Sequence, residues 1–345
     1  MRMARYGAAL LAIAAAVGMS GSASAAPSGH LPDHIFSPYF EAYNRADDPE
    51  TFAARAGAKY LTMAFIQTPS PGSCDIDWNG NTDQPIALSS YGASIIEIKA
   101  HGGDVIPSFG GGYADGNGMD IADSCTDVGK IAAGYEQVLT TYGLTRLDLD
   151  VEGAAEKDLA GVDRRNKAIK LVEDWAARTR RTVQFSYTLP TNPTGLDSDG
   201  LPIIQNAVAN HARIDVVNLM TFDYWDGIQH EMADDTEQAG AALVSQLAPL
   251  YPDKTTRQLY GMVGITEMVG IDDYGTTETF TQADAVTVEK WARDKGIAVL
   301  SFWAIERDNG SCVGTVGGDS CSGVAEPDWY FSHQFESFGP SRRLW

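Results

Sequence analysis

The sequence predicts an α/β protein whose strands close into a (β/α)₈ TIM barrel. Three observations carry this expectation: eight β-type runs follow one another from residue 34, helix-like segments alternate with them, and no Gly-x-Gly-x-x-Gly turn follows the first run to support an open dinucleotide-binding sheet. Strands that alternate with helices pair in parallel through right-handed crossovers, and eight such units are the number that closes a barrel.

Ahead of the first strand, Arg2 and Arg5 form a positive region, Ala8 to Met19 is apolar, and Ala23-Ser24-Ala25 offers small residues for cleavage, so residues 1–25 read as a secretory signal peptide. That apolar stretch is too short to span a bilayer, and no later run is long enough, so no membrane partner is expected. The protein is therefore expected to be secreted, extracellular and monomeric, with residues 26–345 forming a single catalytic domain.

The strands are expected at 34–40 (HIFSPYF), 60–66 (YLTMAFI), 104–110 (DVIPSFG), 146–152 (RLDLDVE), 182–189 (TVQFSYTL), 215–222 (DVVNLMTF), 259–265 (LYGMVGI) and 298–305 (AVLSFWAI). Helices fall near 50–58, 90–101, 126–142, 163–180, 201–212, 235–249, 282–295 and 327–336. In the fourth of these, Ala168, Leu171, Val172 and Trp175 recur at i, i+3, i+4 and i+7, the stripe of an amphipathic helix. Between the last two strands, Ile265 to Ala298 leaves room for one helix and two loops.

Charge and cysteines narrow the function. The chain carries 46 acidic and 25 basic residues, a formal net charge of −21, which repels nucleic acid and anionic membrane and is compatible with a neutral or cationic substrate. Four cysteines in an exported chain suggest two disulfides with three possible connectivities; Cys312 and Cys321 bracket a Gly-rich loop as a local pair, leaving Cys74 and Cys125 to join by default. No Cys/His cluster suggests a metal, and no cofactor is expected. The segment DIDWNG (75–80) begins like a calcium loop, but its twelfth position is Ile86 rather than Glu, so it reads as an acidic surface loop.

The stretch LTRLDLDVEG (144–153) carries the chemistry. Asp148, Asp150 and Glu152 alternate with Leu147, Leu149 and Val151, and on a strand this spacing puts the three acids on one face and the aliphatics on the other. In a barrel the aliphatics pack outward against helices and the acids point into the lumen, with Glu152 nearest the mouth where such folds place their chemistry. Buried like charges are costly, so a triplet of this kind points to proton chemistry.

Asp-x-Asp-x-Glu at the end of a central strand resembles the signature of family 18 glycoside hydrolases, the chitinases and endo-β-N-acetylglucosaminidases. Three further motifs in order strengthen the resemblance: Ser108 to Gly111 is similar to that family's Ser-x-Gly-Gly, Met220 to Asp223 to its Met-x-Tyr-Asp, and Trp303 to the tryptophan under its sugar subsite. Two positions depart from the pattern: Thr145 stands where an acid is usual, and Phe222 replaces a tyrosine whose hydroxyl is then absent or supplied by Tyr224 or Tyr187.

The resemblance implies a substrate-assisted retaining mechanism. Glu152 is then the general acid/base, Asp150 the partner of the substrate's acetamido N–H, and Asp148 a deeper acid that shares a proton with Asp150 and keeps Glu152 protonated. Trp303, Asp223, Tyr224, Met220, Tyr187, Ser108 and Tyr39 form the implied substrate-binding set, with Ser108, Gly110 and Gly111 as the scaffold under the acids; Tyr113 and Trp225 are further aromatics at strand ends. The implied substrate is chitin or N-acetylglucosamine oligomers, cut internally, because Ile265 to Ala298 has no room for the α+β insertion that deepens the groove in some members of that family, which implies a shallow, open cleft. The alternatives are an endo-β-N-acetylglucosaminidase acting on N-glycans and a chitinase-like sugar-binding protein without catalysis. Glu41, Glu267 and Glu306 would be the acids of a rival retaining glycosidase with a protein nucleophile.

Overall fold

The computed structural model describes residues 30–339, and the segment expected to be a leader lies outside them. Eight parallel strands form the barrel: β1, in two pieces (Ile35–Phe36 and Tyr39–Glu41), β2 (Tyr60–Gln67), β3 (Asp104–Gly110), β4 (Arg146–Asp150), β5 (Gln184–Pro190), β6 (Val216–Met220), β7 (Val263–Met268) and β8 (Val299–Trp303). Each pairs with the next in sequence, and the ring closes where Ile35 and Phe36 meet Val299 and Leu300 of β8. The other piece of β1 pairs Tyr39–Glu41 with Thr62–Ala64 of β2. Pro38 lies between the pieces and has no N–H to donate, so β1 steps there from one neighbour to the other.

The period-2 reading of β4 holds on both faces. Leu147, Leu149 and Val151 are buried in one apolar cluster with Tyr135, Val172 and Phe185, contributing roughly 1.5–3 kcal/mol per side chain. The helices form where caps and apolar stripes agree: Asp127 accepts from the N–H groups of Gly129 and Lys130 at the head of Val128–Tyr142, and Thr281 with Asp284 closes a capping box on Gln282–Lys295.

Four local expectations are corrected. The seventh strand begins at Val263 rather than 259, because Thr255 and Gln258 form a capping box that makes Thr256–Tyr260 helical. In the helix Leu159–Thr179 the buried stripe runs through Val162, Arg165, Asn166, Ile169, Val172 and Ala176, while Leu171 faces solvent. The supposed surface loop at 75–80 contains a short strand, Asp77–Trp78, paired antiparallel to β2 with Trp78 fully buried. One of the two loops between β7 and β8 is a hairpin, Gly270–Asp272 with Gly275–Phe280, and no α+β subdomain follows it. The disulfides are Cys74–Cys125 and Cys312–Cys321, the pairing expected.

The lumen is polar where barrels of this kind usually hold bulky branched side chains. Ser37 lies 3.1 Å from Thr62, Ser301 donates to the carbonyl of Ser37 at 2.7 Å, and Asn218 donates to Thr188 at 3.0 Å and Thr266 at 2.7 Å. This column of hydroxyls and amides gives the acids of β4 hydrogen-bonding surroundings in place of a dry core.

Candidate active site

The acids of β4 occupy three depths. Asp148 is deepest and wholly enclosed by hydroxyl groups: Ser108 from β3 donates to Oδ2 at 2.7 Å, Ser186 from β5 to Oδ1 at 2.6 Å, Thr188 reaches both oxygens at 3.0 Å, and Tyr39 from β1 reaches Oδ2 at 3.1 Å. These bonds follow from register, since Ser108 and Ser186 are the direct cross-strand partners of Asp148. Burial raises the Asp148 carboxyl above its usual range and the hydroxyl donors oppose the rise.

One step higher, Asp150 lines the cleft, with its Oδ1 buried and without a partner among the described residues. Burial first, then the charges of Glu152 and Asp148, push its carboxyl well above the usual aspartate range. Gly110, at φ +98°, lies so close to β4 that a Cβ there would fall 2.1 Å from the Asp150 carbonyl oxygen. The next residue, Gly111 at φ +81°, would bring a Cβ to 2.6 Å from the Phe65 ring. Both glycines are thus required for the approach that seats the acids.

Glu152 stands at the mouth. Its carboxylate accepts from the Gly112 N–H, its own N–H donates to Asp115 Oδ2 at 2.6 Å, and burial raises its carboxyl to about 7. A carboxyl titrating there is a proton donor at neutral pH.

A cleft of about 590 Å³ opens above these acids, walled by Met220, Phe222, Thr266 and Met268. Trp303 lies across it, stacked on Phe65 with centroids 5.7 Å apart and 5.6 Å from the Tyr39 ring. Asp223 lines the same space, its carboxyl pushed up to about 8 by burial and then by Asp272. Tyr113 and the carboxylates of Asp273 and Asp319 stand at the rim, and among the described residues no Lys, Arg or His lines the cleft. The site therefore offers a flat apolar platform beside a proton donor and an orphan acceptor.

Several expected site residues lie elsewhere. Tyr187 is on the outward face of β5, because Ser186 and Thr188 take the inward positions; its hydroxyl donates to Asn166 at 2.7 Å. Tyr224 follows the left-handed turn at Asp223 (φ +55°), which sends its ring toward His230 and away from the cleft. Neither tyrosine replaces the hydroxyl missing at Phe222; the hydroxyls in the cleft lining are those of Tyr39, Tyr43, Tyr113, Thr188 and Thr266. Ser108 lies beneath the cleft as an Asp148 donor and does not line it. Tyr39 lines the cleft floor with its hydroxyl turned down to Asp148 and Thr188. Trp225 is exposed outside the lining, against Tyr274. Thr145 sits at the foot of β4, where its carbonyl accepts from Gln184, so that departure does not touch the cleft.

The rival acids are also outside the cleft. Glu41 and Glu306 are buried beside one another, the Glu41 N–H donating to Glu306 Oε1 at 3.0 Å, and Glu267 points outward to accept from Thr236 at 2.8 Å. Asp115, Thr188 and Ser186 are the site residues that sequence reasoning missed; for the two on β5 the signal was the same period of two in QFSYTL.

A family model described as Glycosyl hydrolases family 18 matches residues 36–307. A probable bifunctional chitinase/lysozyme of Escherichia coli (strain K12) is 30% identical over 293 residues, 82% of this chain and 32% of that protein. Endochitinase 11 of Metarhizium anisopliae is 30% identical over the same length, which is 54% of that protein. The chain thus spans about a third and about half of these curated relatives. Among solved structures, the catalytic domain of a hyperthermophilic chitinase from Pyrococcus furiosus superposes with a TM-score of 0.79 at 30% identity, covering 92% of this chain and 99% of that one. Catalytic-site mutants of active domain 2 of the thermostable chitinase from the same organism, complexed with chito-oligosaccharides, match with a TM-score of 0.78 at 29% identity over 91% of this chain and 97% of theirs.

Proposed function

Because the chain belongs to the glycosyl hydrolases family 18, we propose that it is a secreted chitinase that hydrolyses β-1,4 bonds between N-acetylglucosamine units with retention of configuration. The observation that carries this reading is the pairing of a proton donor with an orphan acceptor: Glu152, raised to about 7, stands beside Asp150, whose Oδ1 is buried and unpartnered. An acetamido N–H supplies the donor that Oδ1 lacks. The acetamido oxygen then attacks the anomeric carbon while Glu152 gives its proton to the departing glycosidic oxygen, and the resulting oxazolinium ion is offset by the Asp148–Asp150 pair, which keeps one proton and one negative charge between its two carboxyls. Water, deprotonated by Glu152, opens that ion and restores the acid. The leader-like segment and the two disulfides support export.

The test is to incubate the protein with N-acetylglucosamine hexamer and follow products by proton NMR. New reducing ends that form first as the β-anomer support the reading. An intact hexamer together with cleavage of a glycoprotein N-glycan assigns the substrate to glycoproteins, and no cleavage of either leaves sugar binding alone.

Two further results are expected. Glu152 donates only while protonated, so activity is present below its raised pKa and falls as pH rises through about 7; an alkaline limb near pH 5 would remove Glu152 from the donor role. The absence of an inserted subdomain between β7 and β8 favours internal cutting, so trimer and tetramer accompany dimer among the first products of the hexamer. Early products consisting almost wholly of dimer would overturn that expectation.

A further inference from the structure

We propose that Arg146 is a positioning residue for the acid pair: its guanidinium, one inward step below Asp148 on β4, holds Asp148 as the anion so that the pair's single proton resides on Asp150. The proposal deepens the hydrolytic reading above and rests on it.

Arg146 shares the inward face with Asp148 and Asp150, two and four residues along the same strand. It is 4% exposed; one Nη2 hydrogen bond reaches Gln184 Oε1 at 3.2 Å, while its Nε and Nη1 are buried without a partner among the described residues. Leaving a buried guanidinium this poorly bonded is destabilising, and an aliphatic side chain would fill the same lumen position without that penalty. The arginine's distinguishing contribution is therefore its field, which falls first on Asp215 beneath it and next on Asp148 above it.

Hydrogen bonding at Asp148 agrees. Hydroxyls of Ser108, Ser186, Thr188 and Tyr39 converge on its two oxygens, and an ionised carboxylate is the form that only accepts. Asp150 has the opposite surroundings, with a buried oxygen to which no group among the described residues donates. The charged and titratable groups facing the pair are Arg146 below, Glu152, Asp115 and Glu156 above, and Tyr39 from β1; β3 and β5 contribute only Ser108, Ser186, Thr188 and Gln184. Asp215, just ahead of β6, faces Arg146 from beneath. Burial lowers the arginine to about 10, which leaves it cationic throughout the working range. From floor to mouth the resting column then reads cation, anion, protonated acid, proton donor.

The experiment compares the wild type with Arg146→Met and Arg146→Lys in two readouts, the pH profile of kcat/KM on N-acetylglucosamine hexamer and an infrared titration of the protonated carboxyl band in the free protein. Without the cation the pair takes up its second proton more readily, so the acid limb of Arg146→Met moves up by about one pH unit, a tenfold loss of activity below the limb. The limb set by Glu152 moves less, and Arg146→Lys keeps its acid limb near that of the wild type. Coincident acid limbs for Arg146→Met and wild type overturn the proposal, as does a lysine variant shifted as far as the methionine variant. Should Arg146→Met not fold, Arg146→Gln, which keeps a donor for Gln184 and loses the charge, is read the same way. A wild type inactive on the hexamer refutes the chitinase reading alone; the infrared titration still decides the charge assignment, because an unshifted carboxyl band in the variant overturns it.

Discussion

Glu152→Gln lowers turnover of N-acetylglucosamine hexamer by about 10²–10⁴-fold, the range that a positioned acid contributes. Glutamine has the same shape and can still accept the Gly112 N–H, so the substitution removes the proton and little else. Binding of the hexamer, measured by tryptophan fluorescence or calorimetry, stays within a few-fold because Trp303 and Asp150 are untouched. A variant that keeps a tenth or more of the wild-type rate would show that another group supplies the proton. Stability gives a second reading of the same change. A carboxyl whose folded pKa is raised stabilises the fold while protonated, and that contribution is lost as pH rises from the ordinary glutamate range through about 7. The glutamine variant lacks this loss, so it is expected to melt above the wild type at pH 8.

The second large effect is on stability. Arg165 is 0% exposed in the helix Leu159–Thr179, where its Nη2 donates to Asp120 at 2.8 Å and lies 3.6 Å from Asp123. Arg165→Met leaves Asp120 buried without the cation it pairs with, which costs about 3–5 kcal/mol when one partner of a buried pair is removed. Urea unfolding followed by circular dichroism measures this as a fall in midpoint at unchanged slope; a midpoint that stays put would mean the acids are neutral in the folded protein. The damage reaches the cleft as well. Asp120 caps the turn Ile121–Ser124 and ends the segment that carries Asp115, whose Oδ2 holds the Glu152 N–H. Activity of the variant should therefore fall even under conditions where it remains folded.

How much of this could be read from the chain follows from period and parity. The alternation of Asp148, Asp150 and Glu152 with aliphatics is visible because a strand repeats every two residues, and it places all three acids in the lumen. The same rule reaches down to Arg146, which a search confined to acids passes over. In β5 it predicts Ser186 and Thr188 inward and Tyr187 outward, so choosing Tyr187 as a sugar contact followed residue type where parity decides. Tyr224 is harder: the left-handed backbone at Asp223 turns the chain, and an aspartate in that conformation carries only a weak local signature. The displaced start of β7 follows from the Thr255–Gln258 capping box, a short-range signal that overrode an apolar run. Asp115 was out of reach, since nothing near it in sequence tells that it meets Glu152, 37 residues further on.

The two-piece first strand has a consequence for how the molecule comes into being. Ser301 and Ser37, joined across the closure of the ring, are 264 residues apart. Emerging from the ribosome, β1 can take up β2 within a short length of chain, but its other edge has no partner until β8 has been made. Loop-closure entropy and high contact order make such a late, long-range pairing slow. Until that strand is in place the ring cannot close, so the seam between Ser37 and Ser301 is the last pairing the chain can make.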